Sequence, residues 1–238
     1  MQQGLGWIPA PDSRHIELFG FSDVAPQPPK KVEKALPLPR YSHFYNQGDK
    51  NACVGFSSSW MMSILDRVRF DPFWLWTEAK KVDGDDRTNP GDNNGTTLRA
   101  AMDVLRQEGH VRVVRAQDKP PSLDFGIKEN RWATSVDEVR TAISEGKPVV
   151  LGTHWWTNFD HPETVGGKRW IGRAADFGTI RGGHAICIYR ASDKLGAVGI
   201  VNSWNNYPPV LMPYDTLSKL LADHGEATFV TKLRRNGN

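Results

Sequence analysis

The stretch that decides the reading is Asn46-Gln-Gly-Asp-Lys-Asn-Ala-Cys-Val-Gly-Phe-Ser57. A polar loop turns into a helix at Cys53. From Ala52 to about Val68, apolar residues recur at Phe56, Trp60, Met61, Ile64, Leu65 and Val68. That spacing marks one face of an amphipathic helix. A cysteine just inside a helix start lies among free backbone amides at the positive end of the dipole. Such a setting favours the thiolate, which is the nucleophilic form. Far downstream come Gly182-Gly-His-Ala-Ile-Cys-Ile188 and Ile200-Val-Asn-Ser-Trp204. Cys53, His184 and Asn202 can therefore meet in the fold as nucleophile, base and orienter.

Outward from this stretch, further helices are expected. Thr97 to Glu108 carries Leu98, Ala101, Met102 and Leu105 on one face, with Gly109 as its stop. Ser135-Val-Asp-Glu138 reads as a capping box for a helix ending near Gly146. Pro213 to Gly225 turns Leu217, Leu220 and Leu221 inward. Strand signals concentrate late: Pro148–Thr153, Gly183–Tyr189, Ala197–Trp204 and Ala227–Leu233 are β-rich runs bounded by Gly, Asn or Pro. Helices early and strands late indicate an α+β fold with a helical lobe and a sheet lobe. A cleft between two lobes is a common place for a site.

The first forty or so residues differ in composition. Pro9, Pro11, Pro26, Pro28, Pro29, Pro37 and Pro39 make Ala25–Arg40 extended and partly polyproline-like. This arm either straps the body or covers a cleft. The remainder, 41–238, reads as one domain, helical over about 48–135 and β over about 136–238.

Several classes are disfavoured. The chain has 238 residues, 39% hydrophobic and 24% charged, an ordinary globular balance. A net charge of +3 implies neither nucleic-acid nor membrane binding. Two cysteines, Cys53 and Cys187, exclude a scaffold built on disulfides. The N-terminus lacks the basic and apolar regions of a secretory signal. A cytoplasmic or phage/virion-associated setting is expected, with specialised secretion left open. No P-loop or dinucleotide fingerprint occurs. Asp83-Gly-Asp-Asp86 and Asp92-Asn-Asn94 miss the EF-hand spacing and read as solvated turns. His154 and His161 lack the companions of a zinc site. Neither cofactor nor metal is expected.

The chain resembles the papain-like cysteine peptidases from about Leu36 to about Leu233. The resemblance rests on Asn46-Gln47-Gly48, on Cys53 with Gly55-Phe56-Ser57, on His184-Ala185-Ile186 and on Asn202-Ser203-Trp204. Gln47 lies six residues before Cys53, as in the family. Asn94-Gly95-Thr96 resembles its glycine-containing substrate-binding strand, and Pro213-Tyr214 resembles a segment of bacterial members. Three departures stand out. Lys50 replaces an additional cysteine, Val54 replaces the tryptophan after the nucleophile, and Asn205 replaces the glycine after Asn-Ser-Trp. They bear on the leaving-group side.

The resemblance implies a papain-like fold, with a helical lobe and an antiparallel sheet or barrel lobe flanking the active-site cleft. It implies a peptidase acting through an acyl-enzyme on Cys53. His184 is then acid and base, as a thiolate–imidazolium pair with Cys53. Asn202 orients the ring and Trp204 shields that bond from water. Gln47 and the Cys53 N–H form the oxyanion hole, and Asn94, Gly95, Thr96 and Gly183 bind a protein or peptide substrate. Two alternatives keep the fold: a catalytically quiet binding or virion module, and an isopeptidase or transglutaminase-like acyl transferase. Side-chain alternation places Cys187 on the face of its strand opposite His184, as an inert thiol. Trp74, Trp76, Trp155, Trp156 and Trp170 are expected mainly as core.

Overall fold

The protein is described by a computed structural model covering residues 3–10, 20–21, 28–40, 45–83, 92–114, 117–118 and 120–234. Residues 84–86 of the acidic turn and part of the proline-rich arm lie outside the described residues.

The helix expected at the nucleophile runs Cys53–Asp66 (α1). It is buried without interruption from Cys53 to Ile64, rather than along one face. Three of its four serines, Ser57, Ser59 and Ser63, help by satisfying their hydroxyls internally. Ser57 Oγ donates to Val54 O, Ser59 Oγ bonds His110 Nε2 at 2.9 Å, and Ser63 Oγ bonds the Tyr45 hydroxyl at 2.8 Å. Arg67 ends the helix in the left-handed region, its N–H donating to Ser63 O. Helix Pro72–Val82 (α2) follows, one that hydrophobic periodicity did not reveal. It starts at Asp71, whose carboxylate accepts from Phe73 N and Trp74 N, with Pro72 in the first turn.

Leu98–Gln107 (α3) has Thr97 as its cap, Oγ1 accepting from Ala100 N, and Gly109 follows at φ +82°. Val136–Ser144 (α4) is capped by Ser135, which accepts from Glu138 N. Glu138 reaches back to Thr134 N, one residue beyond the expected box partner. Tyr214–Ala222 (α5) is the last helix among the described residues.

The main sheet has nine strands among the described residues. They are β1 (Glu33–Ala35), β4 (Ile127–Ala133), β5 (Val149–Trp156), β6 (Glu163–Val165), β7 (Lys168–Trp170), β8 (Ile180–Ser192), β9 (Ala197–Val201), β10 (Val210–Pro213) and β11 (Glu226–Leu233). Val113–Val114 (β2) and Gln117–Asp118 (β3) form a separate small hairpin. The order is β4-β11-β5-β8-β9-β10-β7-β6, with β1 on β8 past the end of β5. The sheet is open, so of the expected sheet or barrel, the sheet is found. Pairing is antiparallel except for β10 on β7. β4 already belongs to it, so the β region begins before residue 136. Strand β8 is buried on both faces from His184 to Ile188. It packs against α1 on the way through the core. This contact brings the loop before α1 beside the strand that carries His184.

The arm also joins the body. Asp193 fixes its second part: Oδ2 accepts from Val32 N at 2.6 Å and from Arg140 Nη2 at 2.7 Å, and Oδ1 accepts from Tyr214 OH at 2.9 Å.

Candidate active site

Cys53 is the first residue of α1 and is fully buried. Ala52 supplies no side-chain cap, and no acidic residue lies in the first turn. His184 lies on β8, also fully buried. Its Nε2 meets Asn202 Oδ1 at 2.8 Å. Asn202 Oδ1 also accepts from Ser203 N at 2.7 Å, so it is committed as an acceptor. Nε2 therefore carries the ring proton, and Nδ1 keeps the lone pair in the neutral ring. Nδ1 is buried with no hydrogen-bond partner among the described residues.

The ring lies flat on Trp204, with centroids 4.5 Å apart and planes 25° apart, while Trp155 meets it edge-on at 4.8 Å. Two indoles thus dry the His184–Asn202 bond. Trp155 is both core, as its sequence context indicated, and part of the site. Gln47 N donates to Ser203 O at 2.8 Å, tying the loop before α1 to the Asn-Ser-Trp turn.

Residues 3–8 run straight through this site. Gly6 N and Trp7 N both donate to Gly183 O. Thr96 N donates to Gly6 O at 2.9 Å, and Ile8 N donates to Thr96 O at 3.1 Å. Gly95 backs directly onto Gly6. Gln47 Nε2 and Trp204 Nε1 each donate to Gly4 O at 3.0 Å. Arg181 Nη2 donates to Gln3 O. Gly6 has φ +123°, and a Cβ there would overlap the Asn51 carbonyl, so only glycine passes this narrow point. The segment thus runs between Thr96 on one side and Gly183 on the other, paired to both through its main chain. The Gly-Leu-Gly-Trp run at 4–7, two glycines shortly before a tryptophan, was the available sequence signal.

Of the four substrate-binding candidates, the backbones of Gly95, Thr96 and Gly183 face the segment. Asn94 is exposed, and its carbonyl instead accepts from Trp76 Nε1 at 3.1 Å. Helix α2 grips this wall at alternate residues. Trp76 holds Asn94 O, Lys80 Nζ donates to Asp92 O at 2.6 Å, and Asp83 at the helix end accepts from Thr96 Oγ1 at 2.5 Å.

Burial under the segment controls protonation. Desolvation pushes the Cys53 thiol up to about 12, with backbone N–H groups of Ala185, Val54, Trp7 and Cys53 partly opposing it. Desolvation likewise pulls His184 down to about 3, against the Asn202 bond and with the Arg181 charge. Burial under the segment therefore opposes the thiolate–imidazolium pair expected from the sequence. Both shifts run toward the neutral forms, because neither charge is solvated there.

Cys187 is buried on the same strand, its Sγ pointing to Ile188 O at 3.8 Å, and desolvation raises it strongly. Both cysteines are free. His154 Nδ1 pairs with Asp223 Oδ2 at 2.9 Å, while His161 lies in a groove with Asp160 and Arg181. Among the described residues, no three His, Cys, Asp or Glu side chains are grouped to hold a metal ion. Nor is any helix among them long and apolar enough to cross a membrane.

Comparison with known proteins places the architecture. No protein-family model matches the sequence, and no curated protein matches it. Solved structures do match. Xylellain, a cysteine protease from Xylella fastidiosa, aligns with a TM-score of 0.70 and 18% identity over 98% of this chain and 97% of that one. Procathepsin B S9 from Trypanosoma congolense aligns with a TM-score of 0.59 and 12% identity, covering 96% of this chain and 86% of its own. Digestive procathepsin L2 proteinase from the larval midgut of Tenebrio molitor aligns with a TM-score of 0.57 and 15% identity, covering 96% of this chain and 78% of its own. The open sheet, the central helix with Cys53 at its head and these alignments together give the chain the fold of the papain-like cysteine proteases.

Proposed function

We propose that the protein is a cysteine peptidase that hydrolyses peptide bonds through an acyl-enzyme on Cys53, held latent by its own residues 3–8. The observation that carries the reading is the peptide already in the cleft. Its Gly4 carbonyl rests on the Gln47 amide, and its backbone is paired to Thr96 and Gly183. A cleft that grips a peptide main chain beside a helix-start thiol suits amide hydrolysis.

When the segment leaves, water returns to Cys53 and His184. The burial that raises one and lowers the other is relieved, and the proton passes from Sγ to Nδ1. Asn202, accepting from Nε2, holds the ring for that transfer. The thiolate adds to the substrate carbonyl. Gln47 Nε2 and the Cys53 N–H stabilise the oxyanion, a contribution of roughly 10²–10³ in rate for one such donor. His184 then protonates the leaving amine, and water attacks the thioester with His184 as base.

The test is turnover of fluorogenic peptide amides by the full chain carrying Gly4→Val and Gly6→Val. A side chain at either position collides with the backbone of Lys50 or Asn51, so the segment cannot stay seated. Hydrolysis that disappears on Cys53→Ala and on His184→Ala is expected. A folded, open chain that cleaves no peptide amide would instead favour the quiet binding module.

A further inference from the structure

We propose that Asp160 is a positioning residue for His184: it anchors Trp155, one wall of the ring, and holds Arg181 beside Trp204, the other wall, so that the Asp160–Arg181 pair governs how readily the ring takes a proton. The proposal rests on the reading of Cys53 and His184 as nucleophile and base.

The geometry starts at one short turn. Strand β5 runs into the 3-10 turn Thr157–Asp160. Phe159 O accepts from the Tyr207 hydroxyl at 2.8 Å. Asp160 Oδ1 accepts from Trp155 Nε1 at 2.8 Å. Arg181 Nη1 donates to both carboxylate oxygens of Asp160, at 2.6 and 2.7 Å. Trp155, Tyr207 and Arg181 then converge on Trp204. The two aromatic rings meet it with centroids 5.3 and 5.6 Å away, and the guanidinium carbon lies 5.8 Å from its ring centre. Trp204 itself lies flat on His184. Asp160 thus reaches the ring by two routes, through Trp155 and through Arg181 with Trp204.

Packing alone does not call for a carboxylate. Trp155 Nε1 needs one acceptor, which an amide oxygen would supply. The charge matters for a second reason. A cation near a histidine disfavours the imidazolium, and a carboxylate paired to that cation offsets the effect. The Arg181 side chain is 14% exposed and that of Asp160 24%, so water and salt screen the pair weakly. Burial does most to lower His184; the Asn202 bond opposes it, and the Arg181 charge adds to the lowering. The other titratable groups around the site are Cys53 at the head of α1, His161 just past the turn, Tyr207 beyond β9, and Asp49 before α1, which shares a groove with Arg181. His154 on β5 is already paired with Asp223. Arg181 Nη2 also donates to Gln3 O at 3.2 Å. That bond ends when the segment leaves, which makes Asp160 the partner of Arg181 in the open cleft.

The experiment is an NMR titration of the His184 ring in the full chain carrying Cys53→Ala, Gly4→Val and Gly6→Val, with isotope-labelled histidine. Without the thiol the ring titrates alone, and its signal is the one lost with His184→Ala. Arg181→Met removes the cation and keeps an apolar stem on Trp204. It should raise the midpoint by about half a pH unit or more. Asp160→Asn keeps an acceptor for Trp155 and removes the charge. It should lower the midpoint by a similar amount, and the double variant should fall between the two. Midpoints that stay put in both single variants, or move in the same direction, would overturn the proposal.

The anchoring role is read with Cys53 restored. In the open chain, Asp160→Leu should lower kcat about tenfold further than Asp160→Asn, each at its own pH optimum and with KM within about twofold, because only Leu leaves Trp155 unheld beside the base. Equal losses in the two variants would contradict the anchor. The titration needs no turnover. Midpoints that move as stated in a chain that hydrolyses nothing would fault the peptidase reading and leave the role of the pair standing; hydrolysis with fixed midpoints would do the reverse.

Discussion

At the scale of single residues, the site is a matter of which donors are already committed. Asn202 Oδ1 accepts from both Ser203 N and His184 Nε2, which leaves Nδ1 as the ring's only basic nitrogen. Gln47 Nε2 donates to Lys50 O at 2.7 Å as well as to Gly4 O, so the side chain is held in place before any carbonyl arrives. In the open Gly4→Val, Gly6→Val chain, Gln47→Ala should lower kcat about 10²–10³-fold with KM little changed, read by steady-state kinetics. Cys187→Ala should leave kcat/KM within about twofold, since its thiol sits in the core away from the ring; a loss like that of Cys53→Ala would refute the assignment.

Cys53, His184, Asn202, Gln47 and Trp204 were legible in the sequence because each stands in a short local motif. The places of Trp7 and Trp155 were not. They follow from chain segments that meet only after folding, as where the Trp7 indole donates to Glu226, 219 residues away in sequence.

Among the elements, α1 was legible from its apolar spacing, but its complete burial was not. That depends on the hydroxyl partners Tyr45 and His110, which tertiary packing supplies. Helix α2 was missed because its apolar spacing is short, although Asp71-Pro72 is a start signal of its own. Its value lies in what it holds. Trp76, Lys80 and Asp83 engage Asn94, Asp92 and Thr96, one side chain per alternate residue of the cleft wall. Lys80 is almost fully buried, with Nζ 3.8 Å from the Trp76 ring centroid as well as on Asp92 O. Trp76→Phe removes the donor to Asn94 and keeps the apolar bulk. In the open chain it should raise KM severalfold while kcat stays within about twofold, because in the proposed mechanism the wall grips the peptide main chain and does no chemistry. A fall in kcat at constant KM would place α2's influence at the reacting atoms instead.

For the molecule as a whole, the sheet, the central helix and Trp7 of the N-terminal segment share one hydrophobic core, and His110 and His184 are buried as well. His110, stacked on Phe70 at 4.5 Å, and His184 are both pulled down to about 3 by burial. A histidine whose folded value lies below its unfolded value, near 6.5, favours folding fully above that value and loses the benefit as pH falls toward the folded one. Stability should therefore drop between pH 6.5 and 5 by up to about 2 kcal/mol for each of the two, with Glu226, raised by burial, opposing part of the fall. Urea midpoints across that range measure the slope, and a flat profile would contradict it. The α+β class and the positions of four late strands, β5, β8, β9 and β11, were readable from composition shifts and turn residues. The openness of the sheet and the early joining of β4 were not, since strand neighbours far apart in sequence leave no local mark.

The central claim is that Cys53 is a nucleophile covered by the protein's own first residues. The most direct measurement is the rate at which an epoxysuccinyl thiol reagent modifies Cys53, followed by peptide mapping, in the native chain and in the Gly4→Val, Gly6→Val chain under reducing conditions. Modification confined to Cys53, slow in the native chain, at least about a hundredfold faster in the open one and lost with His184→Ala, is the predicted result. No modification at Cys53 in a folded, open chain would contradict the account.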